Sequence, residues 1–261
     1  MKVVLFCGGL GMRLREYSET IPKPMVELGH RPILWHIMKY YAHFGHKDFV
    51  LCLGHGGELI KKYFVNYDEY ITNDFVLANG GREIDLLNAD VADWTITFAD
   101  TGLQANIGQR LRAVRKYLEG EEAFLANYAD GLADLDLSEY LSRFLASGKA
   151  ASCIAVTAPE SSHVLTFGGD GRVTSIRPLG ECEIWINAGF FAFRKDIFDY
   201  IREGEELVEQ PFQRLVEKDL LMAHKHRGFW MAMDKFKDKL ILDGMIARNN
   251  VPWEVWKKTT A

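Results

Sequence analysis

Short apolar runs alternate with amphipathic segments along the first half of the chain, and this alternation limits the folds open to it. Lys2 to Cys7 and Asp48 to Leu53 are short runs, rich in β-branched and aromatic residues, that each end at a glycine, as buried strands do. Arg31 to Phe44 spaces its apolar side chains three and four residues apart, which predicts a helix, and Glu58 to Phe64 predicts another. A strand–helix–strand–helix order predicts a parallel sheet.

The alternation continues to residue 130 and then changes. Strands are predicted at Asp93 to Ala99 and at Ala123 to Tyr128. The stretch from 150 to 193 is rich in strands and contains a hairpin signal at Gly168 to Gly171. Later segments predict a long strand over Ile184 to Phe193 and helices over 212–222 and 235–248. We therefore expect one α/β body over residues 1–261, with a β-rich region at about 155–195 and a C-terminal helical tail at about 235–261.

Charge, cysteine spacing and the length of the first apolar run limit the binding partners and the cellular compartment that we expect. The net charge of −5 gives no overall basic surface for nucleic acid, so an anionic substrate needs a local cluster of cations. The four cysteines are far apart and form no C-x-x-C pair, which predicts free thiols in a reducing compartment. The apolar run after Lys2 is too short for a signal peptide or a membrane span, so we expect a cytoplasmic protein without a membrane partner.

A glycine-rich loop follows the first predicted strand, at the edge where open α/β sheets bind ligands. Gly8, Gly9 and Gly11 let backbone N–H groups approach a phosphate closely, and Arg13 adds a fixed fork of donors. The loop is no P-loop, because it ends Gly-Met-Arg, and no dinucleotide fingerprint, because Leu14 occupies the third glycine position. A plain strand-to-helix turn is the alternative.

Three charged residues complete the candidate site. Lys23 lies between two prolines that stiffen its backbone, and a rigidly held cation near a glycine loop suits phosphoryl chemistry. Asp130 and Asp234 each follow an apolar run, and one or two carboxylates of this kind hold Mg²⁺ over bound phosphates. Each residue also has a structural alternative: a surface lysine in a proline turn for Lys23, an Asp-Gly turn for Asp130, and an N-cap of the last helix for Asp234.

Together these motifs resemble the sugar-nucleotide pyrophosphorylase (nucleotidyltransferase) family, and within it the glucose-1-phosphate cytidylyltransferases. The family opens with Gly-Gly-x-Gly-Thr-Arg-Leu followed by Lys-Pro-Lys-Pro-Met, and this chain has Gly8 to Leu14 and then Ile21 to Met25. The likeness continues in register along the whole chain, at 32–39, 61–67, 100–102, 130–136, 186–191, 228–230 and 252–253. It implies a Rossmann-like, mostly parallel central sheet with helices on both faces, of the nucleotide-diphospho-sugar transferase type, with a small β-rich insertion.

The resemblance also implies an activity and assigns residues to it. It implies transfer of CMP from CTP to a phosphorylated small molecule, with glucose 1-phosphate as the lead acceptor, Mg²⁺ as cofactor and pyrophosphate as product. Relatives commonly assemble, so it implies a homo-oligomer. It makes Arg13, Lys23 and Asp130 catalytic and Asp130 and Asp234 the metal ligands. The implied nucleotide contacts are Gly8, Gly9, Gly11, Met12, Arg13, Lys23, Thr101, Gly102 and Arg110, and the implied acceptor contacts are Arg177, Asn187 and Gly189.

Three positions depart from the family pattern. Met12 stands where the family has Thr, so the loop lacks a hydroxyl. Pro159 to Val164 replaces an Arg-Phe-Gly segment, and Arg177 replaces the Lys of Glu-Lys-Pro that meets the acceptor's phosphate. The last two departures lie on the acceptor side. Two alternatives therefore stay open: glucose 1-phosphate still binds, or the acceptor is another sugar phosphate, a non-sugar phosphate or a phosphonate. A non-catalytic nucleotide-binding regulator is a further alternative, which the retained charged residues disfavour.

Overall fold

An eight-stranded central sheet is built from buried apolar strands. The computed structural model describes residues 1–9, 21–158 and 163–257 of the chain. Within these residues the strands are β1 (Val3–Phe6), β2 (Glu27–Leu28), β3 (Arg31–Pro32), β4 (Asp48–Leu53), β5 (Phe75–Ala78), β6 (Glu83–Leu86), β7 (Thr95–Asp100), β8 (Ala123–Tyr128), β9 (Gly131–Ala133), β10 (Ala151–Thr157), β11 (His163–Phe167), β12 (Val173–Pro178), β13 (Trp185–Asn187), β14 (Phe191–Arg194), β15 (Leu221–Lys225) and β16 (Trp230–Ala232). The helices are α1 (Ile33–His43), α2 (Gly57–Val65), α3 (Glu69–Thr72), α4 (Ile107–Val114), α5 (Leu137–Ser147), α6 (Gln210–Glu217) and α7 (Phe236–Ala247), and 3-10 turns cover Lys23–Met25, Arg115–Leu118, Leu179–Glu181, Lys195–Asp199 and Val255–Lys257.

The pairing of the strands makes the sheet mostly parallel. β1 pairs in parallel with β4 and β8, and β4 pairs in parallel with β7. β14 is antiparallel to both β8 and β10, and β15 is parallel to β10. β13 is also antiparallel to β10, further along it, so β13 and β14 are two pieces of one interrupted strand. The order is therefore β7-β4-β1-β8-β14-β10-β15, with only the interrupted strand reversed, which confirms the predicted fold class.

Helices cover both faces of this sheet. Successive residues of β1 point to opposite faces, and they contact two separate apolar clusters. Val3 and Leu5 pack with residues of α1 and α5, whereas Val4 and Phe6 pack with residues of α4 and α6. Burial on both faces is what a near-continuous apolar strand requires. The carboxyl edge of the sheet is left for the site.

Two predicted elements are wrong in their extent. The strand expected over Ile184 to Phe193 is interrupted, because Gly189 and Phe190 take left-handed φ values of +77° and +47°. Asn127, buried in the next strand, fits into this interruption: its Oδ1 accepts from the backbone N–H of Phe190 at 2.9 Å. The helix expected over 212–222 ends at Glu217, where the left-handed Asp219 turns the chain into β15.

Two hairpins lie apart from the central sheet. β11 and β12 form the hairpin that the four-residue signal at Gly168 to Gly171 predicts. The β5–β6 hairpin was not predicted, although Asn79-Gly80 is a hairpin turn signal and β6 alternates polar with apolar residues. In the described ranges, none of the helices has the length and apolarity needed to cross a bilayer.

Replacing Gly189 by Ala tests the interruption of the strand. A Cβ there would lie 2.5 Å from Asn127 Oδ1, whereas a Cβ at the equally left-handed Gly148 (φ +69°) meets open space. We expect G189A to lower the free energy of unfolding by about 2–4 kcal/mol, because strain adds to the disturbed hydrogen bonds of Asn127. The control G148A should cost about 1–2 kcal/mol from strain alone. Equal losses on chemical denaturation would contradict the role given to Asn127.

Candidate active site

The parallel strands all end at one edge of the sheet, and predicted site residues follow these ends. They are Gly8 and Gly9 after β1, Thr101 and Gly102 after β7, and Asp130 after β8. The backbone N–H and the hydroxyl of Thr101 donate to Leu53 O, at 3.0 and 2.8 Å, and so join the ends of β7 and β4. This edge is where open α/β sheets bind their ligands.

The buried side chain of Arg110 is hydrogen-bonded to residues at this edge. Its side chain is buried, and the guanidinium donates to Leu53 O at 3.1 Å, to Thr101 Oγ1 at 2.7 Å and to Gly8 O at 2.8 Å. A Cβ at Gly8 would lie 2.1 Å from Arg110 Nη1, so a larger residue there would displace the guanidinium from these hydrogen bonds. Burial lowers the pKa of Arg110 from its ordinary value. These donors are directed at protein oxygens, so Arg110 positions the loop, and its direct contact with a nucleotide remains a prediction.

A short, stiff turn presents Lys23. Pro22 precedes the 3-10 turn Lys23–Met25, and Pro24 lies within it. The backbone N–H of Met25 donates to Pro22 O at 2.8 Å, and that of Val26 donates to Lys23 O at 3.1 Å. Proline fixes φ and restricts the residue before it, so the base of the Lys23 side chain has little freedom.

A small antiparallel ladder brings the two aspartates together. β9 follows Asp130 directly and pairs with β16, with Gly131 opposite Ala232. The backbone N–H of Met233 then donates to Asp130 O at 2.9 Å. Asp234, the next residue, is therefore fixed beside Asp130 although the two are far apart in sequence.

Lys23 lies between these two carboxylates. Its ammonium donates to Asp234 Oδ1 at 2.7 Å and also to Asp130 Oδ2. The side chains of Lys23, Asp130 and Asp234 are 15%, 24% and 42% exposed, so the cluster is partly shielded from water. Burial opposes the charged form of Lys23, but attraction and hydrogen bonds from both aspartates outweigh it and raise the pKa. The structure thus brings together Lys23, Asp130 and Asp234, three of the charged residues that the sequence analysis singled out.

The last helix is capped by a different carboxylate. The N-cap position of α7 is Lys235, and Asp238 Oδ2 accepts from the backbone N–H groups of Asp234 and Lys235, at 3.0 and 2.7 Å. The side chain of Asp234 is directed at Lys23 instead. The alternative that Asp234 is a helix cap is therefore wrong.

The predicted acceptor residues lie on the interrupted strand. Asn187 Nδ2 donates to Tyr128 Oη at 3.4 Å, a long contact, and its Oδ1 accepts from the backbone N–H of Gly189 at 3.2 Å. Burial raises the pKa of Tyr128 to about 12, so its hydroxyl stays protonated at neutral pH. Asn187 and Gly189 are thus placed one strand away from Asp130, at the same edge.

Other predicted residues are not joined to this cluster. Arg177 is exposed on β12, opposite Val164, and among the described residues it makes no ion pair. Gly11, Met12 and Arg13 lie outside the described residues, as does most of the segment that departs from the family pattern, 159–162.

Sequence reasoning missed the groups that hold the site in place. Asn127, Asp238 and the β9–β16 ladder carry no motif, and β9 and β16 are each only three residues long. One signal was available for Asp238, since an acidic residue three positions after Lys235 fits the first turn of a helix. The ladder joins distant segments and has no local signal.

Lys23→Met tests the charge balance of the cluster. Because the pKa of Lys23 is raised, its stabilising charge is present below the ordinary lysine value of about 10.4 and is lost only as pH rises through the higher folded value. In the variant, two carboxylates face each other and repulsion raises the pKa of one of them. At pH 8 we expect the free energy of unfolding to fall by about 1–3 kcal/mol, which is less than for a fully buried pair. At pH 5 the fall should be about half as large, because one carboxylate is then protonated in part.

The measurement is chemical denaturation at both pH values. Lys195→Met is the control, because Lys195 pairs with Glu122 at 2.7 Å on the open surface and should show no measurable pH-dependent loss. A loss in Lys23→Met that is equal at pH 5 and pH 8 would contradict the facing carboxylates.

Known proteins resemble this chain in sequence and in fold. The family model described as nucleotidyl transferase matches residues 2–239. The glucose-1-phosphate cytidylyltransferases of Salmonella typhimurium and Salmonella typhi are each 39% identical to this chain over 260 residues, covering 98% of it and 100% of each relative. The crystal structure of HddC from Yersinia pseudotuberculosis covers 94% of this chain and 99% of its own, with a TM-score of 0.65 and 18% identity, which shows the shared fold. The family match and the near-full-length identity establish that this chain belongs to the nucleotidyl transferase family.

Proposed function

We propose that the protein transfers CMP from CTP to a sugar 1-phosphate, with glucose 1-phosphate as the lead acceptor, and releases pyrophosphate. The observation that carries the proposal is the convergence of Lys23, Asp130 and Asp234 at the carboxyl edge of the sheet. The choice of nucleotide and acceptor rests on the 39% identity to relatives named glucose-1-phosphate cytidylyltransferases.

The two carboxylates fit a magnesium ion. They converge on one ammonium group, so their oxygens are close enough to share a cation. In the described ranges no group of three or more His, Cys, Asp or Glu could hold a metal by itself, which agrees with an ion that takes its remaining ligands from substrate phosphates and water. Asp130 and Asp234 would hold Mg²⁺, which would neutralise charge on the phosphates when bound.

The reaction needs positioning and charge neutralisation from the protein. An oxygen of the acceptor's phosphate attacks the α-phosphorus of CTP, a new P–O bond forms, and the bond from the α-phosphorus to the β-phosphate oxygen breaks. Pyrophosphate leaves with the bonding electrons. Because a phosphate monoester is already anionic at neutral pH, no general base is required. Lys23 would turn from the carboxylates to the phosphates, and Arg13 is proposed from the sequence motif as the second cation.

The loop after β1 and the end of β7 would bind the nucleotide. We assign Gly8, Gly9, Gly11 and Met12 to the triphosphate and Thr101 and Gly102 to the nucleoside side. Gly102 has a φ of +93°, a left-handed conformation that leaves its backbone open to a close approach. The support of Gly8 by Arg110 would keep this surface rigid during binding.

Asn187, Gly189 and Arg177 are proposed for the acceptor. Asn187 lies one strand from Asp130 and has a polar side chain at the site edge. Arg177 would reach the acceptor's phosphate only from the separate β11–β12 hairpin, so its part is the least direct. A non-sugar phosphate or phosphonate is the second acceptor class, and it is favoured because Arg177 stands where the family has a lysine.

Two further features concern assembly and compartment. Apolar side chains of α3 and the β5–β6 hairpin are exposed, which supports the proposal of a homo-oligomer; they include Ile71, Phe75, Val76, Leu77 and Ile84. Cys7, Cys52, Cys153 and Cys182 are all free thiols, which supports a reducing, cytoplasmic location.

Pyrophosphate release tests the activity directly. We expect turnover with Mg²⁺, CTP and glucose 1-phosphate at on the order of 1–1000 per second. Other nucleoside triphosphates and small phosphonates form the comparison panel. If pyrophosphate is released with CTP only when the acceptor is a phosphonate, the second acceptor class is correct. If no combination of nucleotide and acceptor releases pyrophosphate, the protein is better explained as a binding protein without catalysis.

Asp130→Asn tests the assigned metal ligand. We expect kcat to fall by about 100–1000-fold, because a carboxylate that holds charge at the reacting phosphates is lost while the fold remains. The control is Asp93→Asn, which removes an aspartate paired with Lys47 before the amino end of β7. Wild-type kcat in Asp130→Asn, or a comparable loss in Asp93→Asn, would contradict the assignment.

A further inference from the structure

Trp185, Lys225 and Arg227 form a cationic patch at the acceptor end of the site. Lys225 Nζ lies 4.9 Å from the centre of the Trp185 ring, and Arg227 Cζ lies 5.1 Å from it. Both cations are exposed and the ring is half-buried. The contacts of both cations with one indole ring hold the positive groups close together.

The strand registers place the patch on the same face as Asn187. Ala155 of β10 pairs with Asn187 on one side and with Lys225 on the other, and residues that are paired in this way share a face of the sheet. Trp185 is two residues from Asn187 on β13 and therefore points the same way. The patch and the proposed acceptor residue thus face the same space.

The patch also lies beyond Asn187 when seen from the reacting centre. Asn187 contacts Tyr128, which is two residues before Asp130. Trp185 continues β13 outward by two residues, about 7 Å further along the strand. An acceptor whose phosphate lies at Lys23 and Asp130, and whose ring passes Asn187, would direct its far end toward the patch.

Charge on the patch is poorly neutralised. In the described part of the chain, no carboxylate lies within 4.0 Å of Lys225 Nζ, and Arg227 has one distant partner, Glu183 at 3.9 Å. The side chains of that pair are 70% and 82% exposed, so water and salt screen it. By contrast, Lys23, Arg31 and Arg214 each have close carboxylates. Two adjacent cations without close partners, in a chain of net charge −5, suit an anionic ligand.

We propose that Trp185, Lys225 and Arg227 form a subsite for a second anionic group of the acceptor, distal to the phosphate that reacts. The preferred acceptor is then a sugar 1-phosphate that also carries a carboxylate or a second phosphate. The inference rests on the proposed function, which it makes more specific. Lys225 and Arg227 bind the distal anion, and Trp185 is a positioning residue that holds them.

The test compares acceptors that differ only in the distal group. Pyrophosphate release is measured with CTP and glucose 1-phosphate, glucuronic acid 1-phosphate or glucose 1,6-bisphosphate. We expect at least about tenfold higher kcat/KM for one or both acidic acceptors, carried mainly by a lower KM, and a preference that weakens as salt is added. A preference for only one of them identifies the distal group as carboxylate or phosphate.

The variants separate charge from structure. In the double variant Lys225→Met/Arg227→Met, the preference should fall to about one, while kcat/KM for glucose 1-phosphate changes by less than about twofold. Trp185→Ala should reduce the preference in part. The matched control is Lys218→Met, because Lys218 also lies over an aromatic ring, Tyr200 at 5.7 Å, but next to the amino end of β15. This control should keep the wild-type preference.

Two results would overturn the subsite: equal use of neutral and acidic acceptors by the wild type, or a preference that survives the loss of both cations. Absence of pyrophosphate release with all acceptors would count against the proposed function instead. In that case calorimetric titration with glucuronic acid 1-phosphate and glucose 1,6-bisphosphate still tests the subsite. The subsite requires that the wild type and Lys218→Met bind these compounds and that the double variant does not.

Discussion

The ion pairs of Lys23 with Asp130 and Asp234 are the interaction on which the site depends. The three residues come from segments separated by 107 and 211 positions, and none of them has a local reason to meet the others. Two prolines fix the backbone of Lys23, the end of β8 fixes Asp130, and the β9–β16 ladder fixes Asp234. Each carboxylate would repel the other without the ammonium between them. In the proposed function, a magnesium ion and the substrate phosphates would take the place of this internal ammonium.

Local patterns in the sequence predicted much of the fold and part of this cluster. The apolar run of β4 and the helical spacing of α1 agree closely with the structure, since each depends on neighbours in sequence. Lys23 was found because it lies between two prolines near a glycine loop, and Asp130 because it follows a predicted strand. The interruption at Gly189 and the burial of Arg110 were not, because both depend on residues from other strands, Asn127 and Gly8. Asp234 was predicted as a metal ligand, and its place beside Lys23 depends on a three-residue ladder that has no periodicity to detect.

The two sides of the site are built differently. On the side proposed for the nucleotide, Arg110 joins the ends of β1, β4 and β7 through three hydrogen bonds, which leave little room for change at Gly8. On the side proposed for the acceptor, the strand is interrupted, a hairpin stands apart from the sheet, and the two cations beside the half-buried Trp185 are exposed to water. A closely hydrogen-bonded nucleotide surface beside an open acceptor surface would allow one chemistry to serve different phosphorylated acceptors.

The most direct test of the account is a calorimetric titration of CTP, with and without Mg²⁺, into wild-type protein, Asp234→Asn and the control Asp243→Asn, whose aspartate pairs with Lys239 on α7. The account predicts that Mg²⁺ strengthens CTP binding at least about tenfold in the wild type and in the control, and that Asp234→Asn loses this difference while it still binds CTP weakly. A response to Mg²⁺ in Asp234→Asn equal to that of the wild type would contradict the claim that the carboxylates around Lys23 form the metal site.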